Sequence, residues 1–573
     1  MSGYSDNARR LLAAVGALGG LVGVALYSGS PGRQATAASA VHSLAAGEGV
    51  SLTVRIDAPI GPISPYIYGM ATSDPSYFQD LRVRLWRMGG NPATRYNWKR
   101  GNAWNAARDW EFRNGNYGRT SSQDVQPSGV ADQAVLNARP SGADGLITVP
   151  TMGWVARDSD NANRSMEVPA SGGPPVAPGS EAIVGYDPSA NRRRVSVPSR
   201  ARKNRPFSDP PDRSDETVYQ DEWIHHLVHK FGGANAGGIR FYAMDNEPDI
   251  WDSTHTDMHP VRPDYDELLK RFTDYADAVK DVDPTARITG PVSSGWTAYF
   301  FSSRDRGADN FASHADRNAH GGTPFLPWFL QRVAEHDKKM GRRTLDVLDI
   351  HFYPQGSGVF SPSLDSAVCD LRLRSTRALY DPAYLDESWI AAPVQLIPRL
   401  RKWVAENYPG TKIGLTEWNW GAETSLNGGL AAAEVLGILG REQLDMACYW
   451  SQPPKESPAY MAFKMYRNAD DRGNGFGDTA VQSSSSASDS VSCFGSVDSK
   501  TGRPVVLIIN KMPNMAIRTS VNISGGTAFH TARLFRYEGK DLKHITKEPD
   551  INVQSGSFSL DLPAYSLTLV RCK

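Results

Sequence analysis

The sequence predicts an α/β fold: a (β/α)8 TIM barrel followed by a C-terminal all-β sandwich domain. Three observations predict it. Eight short apolar runs, rich in β-branched and aromatic residues, alternate with helix-period segments between residues 63 and 475. From residue 485 to 573 strand signals recur at short intervals with no long helical pattern between them. The chain is also long enough, at 573 residues, to bury more than one core.

Taken in order, the first strand signal is residues 51–62, where Ser51 to Ile56 alternates with period two. It is expected to join the sandwich and so bring both ends of the chain together. The eight barrel runs are 66–70, 84–88, 146–152, 239–244, 287–292, 347–353, 412–417 and 446–450. Between and after them, helical spacing marks 221–231, 265–279, 325–339, 396–407, 430–439 and 460–467. The span is long for a barrel, so its loops must be extended. One insertion, 171–215, is dense in Pro, Gly, Ser and Arg and reads as a solvated loop or, alternatively, a lid. The Ser-rich run 482–488 reads as a linker or exposed turn.

The N-terminus carries Arg9-Arg10, an apolar run over 11–27, a polar spacer and the small residues Ala38-Ser39-Ala40. Residues 1–40 therefore read as a secretory signal, with an uncleaved membrane anchor as the other reading. A secreted or surface-anchored monomer is expected. Lys+Arg and Asp+Glu balance at 62 each, which argues against nucleic acid or an anionic membrane surface as the main partner. Export permits disulfides, and Cys493 and Cys572 both fall in the β region and could pair, whereas Cys448 sits in an apolar strand as a buried thiol.

The candidate chemistry lies at two strand ends. The run ending in Asp245-Asn246-Glu247-Pro248 stops at a proline that cannot extend the ladder. A second apolar run ends in Thr416-Glu417-Trp418. Acids at the C-terminal ends of barrel strands face the bowl where such folds do chemistry. One strand-end Glu alone is compatible with a salt bridge; two of them, with amide and aromatic neighbours, suggest a carboxylate pair that cleaves a glycosidic bond. One group would protonate the departing oxygen and the other would stabilise or attack the anomeric carbon. Around Glu247 and Glu417, Asn246 could bond a sugar 2-OH and Arg87 could hold a carboxylate ionised. Tyr353 could contact the nucleophile, and His351 lies on the same side of its strand by period two. Trp450 could floor the pocket, and 14 Trp and 22 Tyr offer surfaces on which sugar rings stack.

Two other clusters invite a metal reading. His255, Asp257 and His259 sit in the loop after Glu247, where loop packing or sugar contact is the simpler account. Asp470, Asp471, Asn474 and Asp478 sit in a Gly-rich turn whose spacing does not match an EF-hand. His225, His226 and His229 read as residues of a helix surface.

Several segments taken together resemble glycoside hydrolase family 44. They are Asp245-Asn246-Glu247-Pro248 with Trp251, His255 and Met258-His259-Pro260; Arg87-Met88-Gly89-Gly90-Asn91 with Tyr96-Asn97-Trp98; Asp346 to His351; Tyr380-Asp381-Pro382 with Ser388-Trp389-Ile390; Tyr408 to Lys412; Thr416-Glu417; and Phe463 to Asn468. The resemblance runs from about Ser51 to the C-terminus. It implies a retaining endo-β-1,4-glucanase or xyloglucanase, with Glu247 as acid/base and Glu417 as nucleophile; Asn91 and Trp418 are further candidates for substrate binding. No cofactor is required, and a structural calcium of unassigned ligands is possible. Trp418 departs from the family's usual Tyr, and the 171–215 and 303–322 segments look unlike it. Another β-glycan such as mannan or xylan, transglycosylation, or a noncatalytic glycan-binding protein are the alternatives.

Overall fold

The structure, a computed structural model, describes residues 49–105, 112–115, 126–158, 164–165, 186–187, 192–193, 196–255, 258–526 and 529–573. The N-terminal 1–40 segment, most of the 171–195 stretch, and Asp257 lie outside the described residues. Among the described residues no helix is long and apolar enough to cross a membrane.

Eight parallel strands close into a barrel: Gly69–Met70, Leu85–Met88, Asp144–Val149, Phe241–Met244, Arg287–Ser293, Val347–His351, Lys412–Trp418 and Met446–Tyr449. Each of the eight predicted runs contributes one strand. The first is the shortest because Pro65–Tyr68 forms a 3-10 turn, with Pro at its start and the Ser64 hydroxyl accepting from the Tyr66 N–H. Leu85, Leu146, Phe241, Ala243, Val292, Val347, Met446 and Cys448 plug the barrel interior below the site. The helices outside bury their apolar stripes against the strands in one continuous core.

The second unit, residues 479–573 together with the N-terminal strand, is a nine-stranded sheet wrapped around its own core of Val50, Leu52, Val54, Val481, Val506, Ile508, Val521 and neighbours. The N-terminal strand Val50–Pro62 lies inside it, antiparallel to Thr479–Ser485 and parallel to Ile517–Ser524. The helix Leu426–Arg441 joins the two units. The Ser492 hydroxyl donates to Glu434 at 2.7 Å, and a Cβ at Gly437 would stand 2.5 Å from the Phe494 ring.

Four expectations need correction. The serine run 482–488 is no linker: residues up to Ser485 form a strand, and only 486–490 turn. Backbone hydrogen bonds to two neighbouring strands outweigh the weak β-propensity of serine. Cys493 and Cys572 are free and buried, as are Cys369 and Cys448. The strand Arg503–Asn510 lies between the strands that carry Cys493 and Cys572, holding the two thiols about two strand spacings apart, beyond disulfide reach. His226 is buried rather than on a helix surface: its ring meets Asp132 at 3.4 Å and Asp209 at 3.2 Å, and these carboxylates raise its pKa against burial. The described end of the insertion is also fastened down. Ser196–Arg200 pairs with Trp154–Ala156, Arg202 bonds Asp281, and buried Lys203 bonds Glu222.

Candidate active site

The strand ends deliver Glu247 and Glu417 to the same end of the barrel. One side-chain oxygen of each, and one ring nitrogen of His351, all lie within 4.8 Å of one another. Glu417 is 5 % exposed and is held from two sides. The Arg87 Nη1 donates to its Oε1 at 2.7 Å, and the Tyr353 hydroxyl donates to its Oε2 at 2.9 Å. The ion pair is a charge-assisted bond that favours the ionised carboxylate. Burial works against the charge on Arg87, but Glu417 and Asp349 outweigh it, so its pKa is raised. Burial, then the charges of Glu417 and Glu247, push the Tyr353 phenol well above its ordinary value, and it stays a donor.

Arg87 also sets the form of His351. Its Nη2 lies 3.3 Å from His351 Nε2, and a guanidinium can only donate. Nε2 therefore accepts, and the proton of the neutral ring sits on Nδ1. Burial, then Arg87, holds the His351 pKa well below its usual value, so the ring is uncharged. The Nδ1–H faces Glu247 Oε1 at 2.9 Å and Glu417 Oε2 at 3.5 Å. The hydroxyl of Tyr299 donates to the His351 carbonyl and fixes the backbone.

The backbone at Glu247 is unusual. Asp245 at φ +73°, Glu247 at φ +49° and Val292 at φ +58° all occupy the left-handed region, and the Glu247 N–H donates to the Val292 carbonyl at 3.0 Å. Such conformations cost about 1–3 kcal/mol each and cluster where function needs a particular side-chain direction. Asp245 anchors the turn: its carboxylate accepts from the hydroxyls of Thr94 and Thr151 and from the Thr151 and Asn246 N–H groups.

Asn246 is clamped beside the pair. Its Oδ1 accepts from Arg87 Nη2 at 2.7 Å and from the Gly90 N–H at 3.0 Å, while Nδ2 donates to Asn91 Oδ1 at 3.1 Å. Trp450 lies under Arg87, whose guanidinium carbon is 5.8 Å from the ring centroid. Gly90 allows this packing. It sits at φ +88°, ψ 166°, and a Cβ there would stand 2.5 Å from the Trp450 ring. That conformation is essentially restricted to glycine. Gly90→Ala is therefore expected to lower stability by more than about 1–3 kcal/mol and to reduce kcat/KM by displacing Trp450 and Arg87. Denaturant unfolding and steady-state kinetics check both effects.

The structure thus gathers Glu247, Glu417, Asn246, Arg87, His351, Tyr353, Asn91 and Trp450 into one connected cluster. Trp418 is not among them. It is 0 % exposed and packs on Tyr449 and Phe463 behind the strand, with ring centroids 4.9 and 6.1 Å away. Strand alternation turns it away from the side Glu417 faces. Two residues were not anticipated. Asp349 lies two positions before His351 on the inward face, and Thr416 points inward together with Glu417. A register shift at Thr416, where Ile350 pairs with Leu415 but His351 with Glu417, lets both do so. The two Thr hydroxyls of Thr289 and Thr416 each donate to Asp349 at 2.6 Å.

Glu247, His351 and Glu417 are also, among the described residues, the one His/Cys/Asp/Glu group spaced to surround an ion. The Arg87 bond to Nε2 leaves a proton, not a lone pair, on Nδ1, so the trio is built for proton handling and hydrogen bonding rather than for metal ligation. The Asp470 turn fits a cation no better. Asp470 accepts from the N–H groups of Arg472 and Asn474 and from the Asn474 amide. Asp471 pairs with Lys464, and Asp478 bonds Ser499. His255 is wholly buried and neutral, with burial and then Arg95 lowering its pKa. His259 bonds Glu267 at 3.0 Å. Both are loop-packing residues.

A pair of carboxylates at the C-terminal strand ends of a (β/α)8 barrel, one ion-paired and one bonded to a neutral imidazole, is the equipment of a glycoside hydrolase. The sequence profile of glycoside hydrolase family 44 matches residues 103–356. Endoglucanase A of Paenibacillus lautus is 31% identical over 541 residues, covering 91% of this chain and 72% of the relative. CelM2, a bifunctional glucanase-xylanase protein from a metagenome library, is 37% identical with a TM-score of 0.81, covering 91% of this chain and 99% of that one. A Paenibacillus polymyxa xyloglucanase of family 44 is 29% identical with a TM-score of 0.80, over the same shares of the two chains. The chain belongs to glycoside hydrolase family 44.

Proposed function

We propose that this enzyme is a secreted, retaining, endo-acting hydrolase of β-1,4-linked glucan of the xyloglucan or cellulose type. The observation that supports it is the approach of Glu247 and Glu417 oxygens to within 4.8 Å. Retaining enzymes place the two carboxyl groups about 5–5.5 Å apart, whereas inverting ones leave about 6.5–9.5 Å for a water. The glucanase and xyloglucanase relatives support the substrate class, and the N-terminal signal pattern supports export.

In this reading Glu417 is the nucleophile. Arg87 holds Oε1, and Oε2, positioned by the Tyr353 hydroxyl, attacks the anomeric carbon. Glu247 gives its proton to the departing glycosidic oxygen as that bond breaks, leaving a glycosyl ester on Glu417. Because His351 Nδ1–H occupies Oε1 of Glu247, the transferable proton resides on Oε2. In the second half Glu247, now ionised, takes a proton from water; the water oxygen bonds the anomeric carbon, and Glu417 leaves as carboxylate. The amide of Asn246, fixed by Arg87, Gly90 and Asn91, is positioned to donate to the sugar 2-OH.

The test is a panel of xyloglucan, carboxymethylcellulose, mannan and xylan, with the first-formed anomer read by proton NMR. The expected result is internal cleavage of a β-glucan with the β-anomer appearing first. An α-anomer first would overturn retention, and no release from any β-glycan would leave a binding protein.

A further inference from the structure

The barrel interior holds one ionisable group that the mechanism above does not use. Asp349 is 0 % exposed and lies beneath the catalytic pair on the strand Val347–His351. Its two oxygens are shared between strands: Oδ2 accepts from Thr289 and Oδ1 from Thr416, the residue that immediately precedes Glu417 at the register shift. Among the described residues, only hydroxyls bond it and no cation bonds it directly. Arg87 supplies the compensating charge, and among the described residues the buried Arg87 Nε has no hydrogen-bond partner.

We propose that Asp349 is a positioning residue for the nucleophile: it is the buried counter-charge beneath Arg87, it sets how strongly that guanidinium stabilises Glu417, and through Thr416 it holds the strand that aims Glu417. The inference rests on Glu417 being the nucleophile.

The groups around it fix the sign. Arg87 acts on its charge from the second strand, Glu417 from the seventh and Cys448 from the eighth, and His351 lies two residues further along its own strand. His351 is neutral, and burial pushes the Cys448 thiol far up, so Arg87 and Glu417 are the charges that matter. Burial pushes the Asp349 carboxyl up to about 6, with the Thr289 and Thr416 bonds and Arg87 opposing and Glu417 adding to it. Above that pH the ionised Asp349 shares the Arg87 charge and leaves Glu417 more basic and more nucleophilic. Below it Asp349 is neutral, the full guanidinium charge falls on Glu417, and the carboxylate is stabilised at the expense of attack.

Asp349→Asn keeps the shape and removes the charge. Its kcat/KM profile is expected to have an acidic limb roughly 0.5–1 pH unit lower than wild type, with a plateau several-fold lower. Thr289→Val keeps the charge but removes one donor, so the carboxyl holds its proton to higher pH; it should move the limb the opposite way, to higher pH. A second readout does not need activity. A carboxyl that binds its proton more tightly when folded stabilises the protein at low pH and loses that contribution as pH rises from about 4 through about 6. The Tm of Asp349→Asn should therefore gain on wild type between pH 4 and 7. Trapping with a 2-deoxy-2-fluoro glycoside separates the two readings. Label on Glu417 with a wild-type pH profile in Asp349→Asn, and no pH-dependent Tm gap, overturns the role of Asp349 alone. Label on another residue overturns the nucleophile assignment.

Discussion

Glu417→Gln is expected to lower kcat by on the order of 10⁴–10⁶-fold, the scale seen when a nucleophile is removed, with KM for the polysaccharide little changed. The amide keeps the size of the side chain and a hydrogen bond to Arg87, but it cannot form the glycosyl ester. Glu247→Gln should cost less, about 10²–10⁴-fold, and least for aryl glycosides whose leaving group needs no proton. Azide distinguishes the two roles. Added to Glu247→Ala it attacks the glycosyl ester and gives a β-glycosyl azide; added to Glu417→Gly it attacks from the vacated side and gives the α-azide. A Glu417→Gln variant that keeps more than about one hundredth of wild-type activity would remove Glu417 from the nucleophile role.

Arg87→Met is expected to damage both stability and rate. Arg87 is 3 % exposed, and its guanidinium serves Glu417, Asn246 and His351 at once. Breaking a buried pair by removing one partner costs about 3–5 kcal/mol, because the remaining charge is left uncompensated. The rate should fall by on the order of 10²–10³-fold, the scale for deleting one charge-stabilising donor. The double variant Arg87→Met/Glu417→Gln should regain part of the lost stability in denaturant unfolding while staying inactive. If the two single losses simply add, the pair does not contribute as argued.

Much of this was legible in the sequence, for identifiable reasons. Barrel strands are buried on both faces, so Ile239 to Met244 and Lys412 to Leu415 stand out as short apolar runs, and Glu247 and Glu417 follow as polar residues where those runs stop. What was not legible depends on distant partners. The strand Thr479–Ser485 exists because Val50–Pro62 and Val491–Asp498 flank it, which a local reading of serines cannot supply. His226 looks like a surface residue until Asp132 and Asp209 arrive from elsewhere in the chain. Trp418 is a different case. Alternation alone opposes it to Glu417, and the likeness of its position to a family motif obscured that simple rule. Thr416 breaks the same rule in the other direction, through a register shift no single strand reveals. Asp349 carried a weak signal, two residues from His351 on one face, with nothing in the sequence to distinguish it from the other aspartates.

The strand Val50–Pro62 has a consequence for how the chain is made. It leaves the ribosome ahead of the barrel, yet both of its neighbours, Thr479–Ser485 and Ile517–Ser524, come after the barrel. Until they emerge, Val50, Leu52 and Val54 have no sheet to cover them, and an uncovered apolar strand is prone to aggregate or be cut. The last stages of synthesis therefore close a seam that the first stages opened, and a prematurely terminated chain advertises its own incompleteness to proteases.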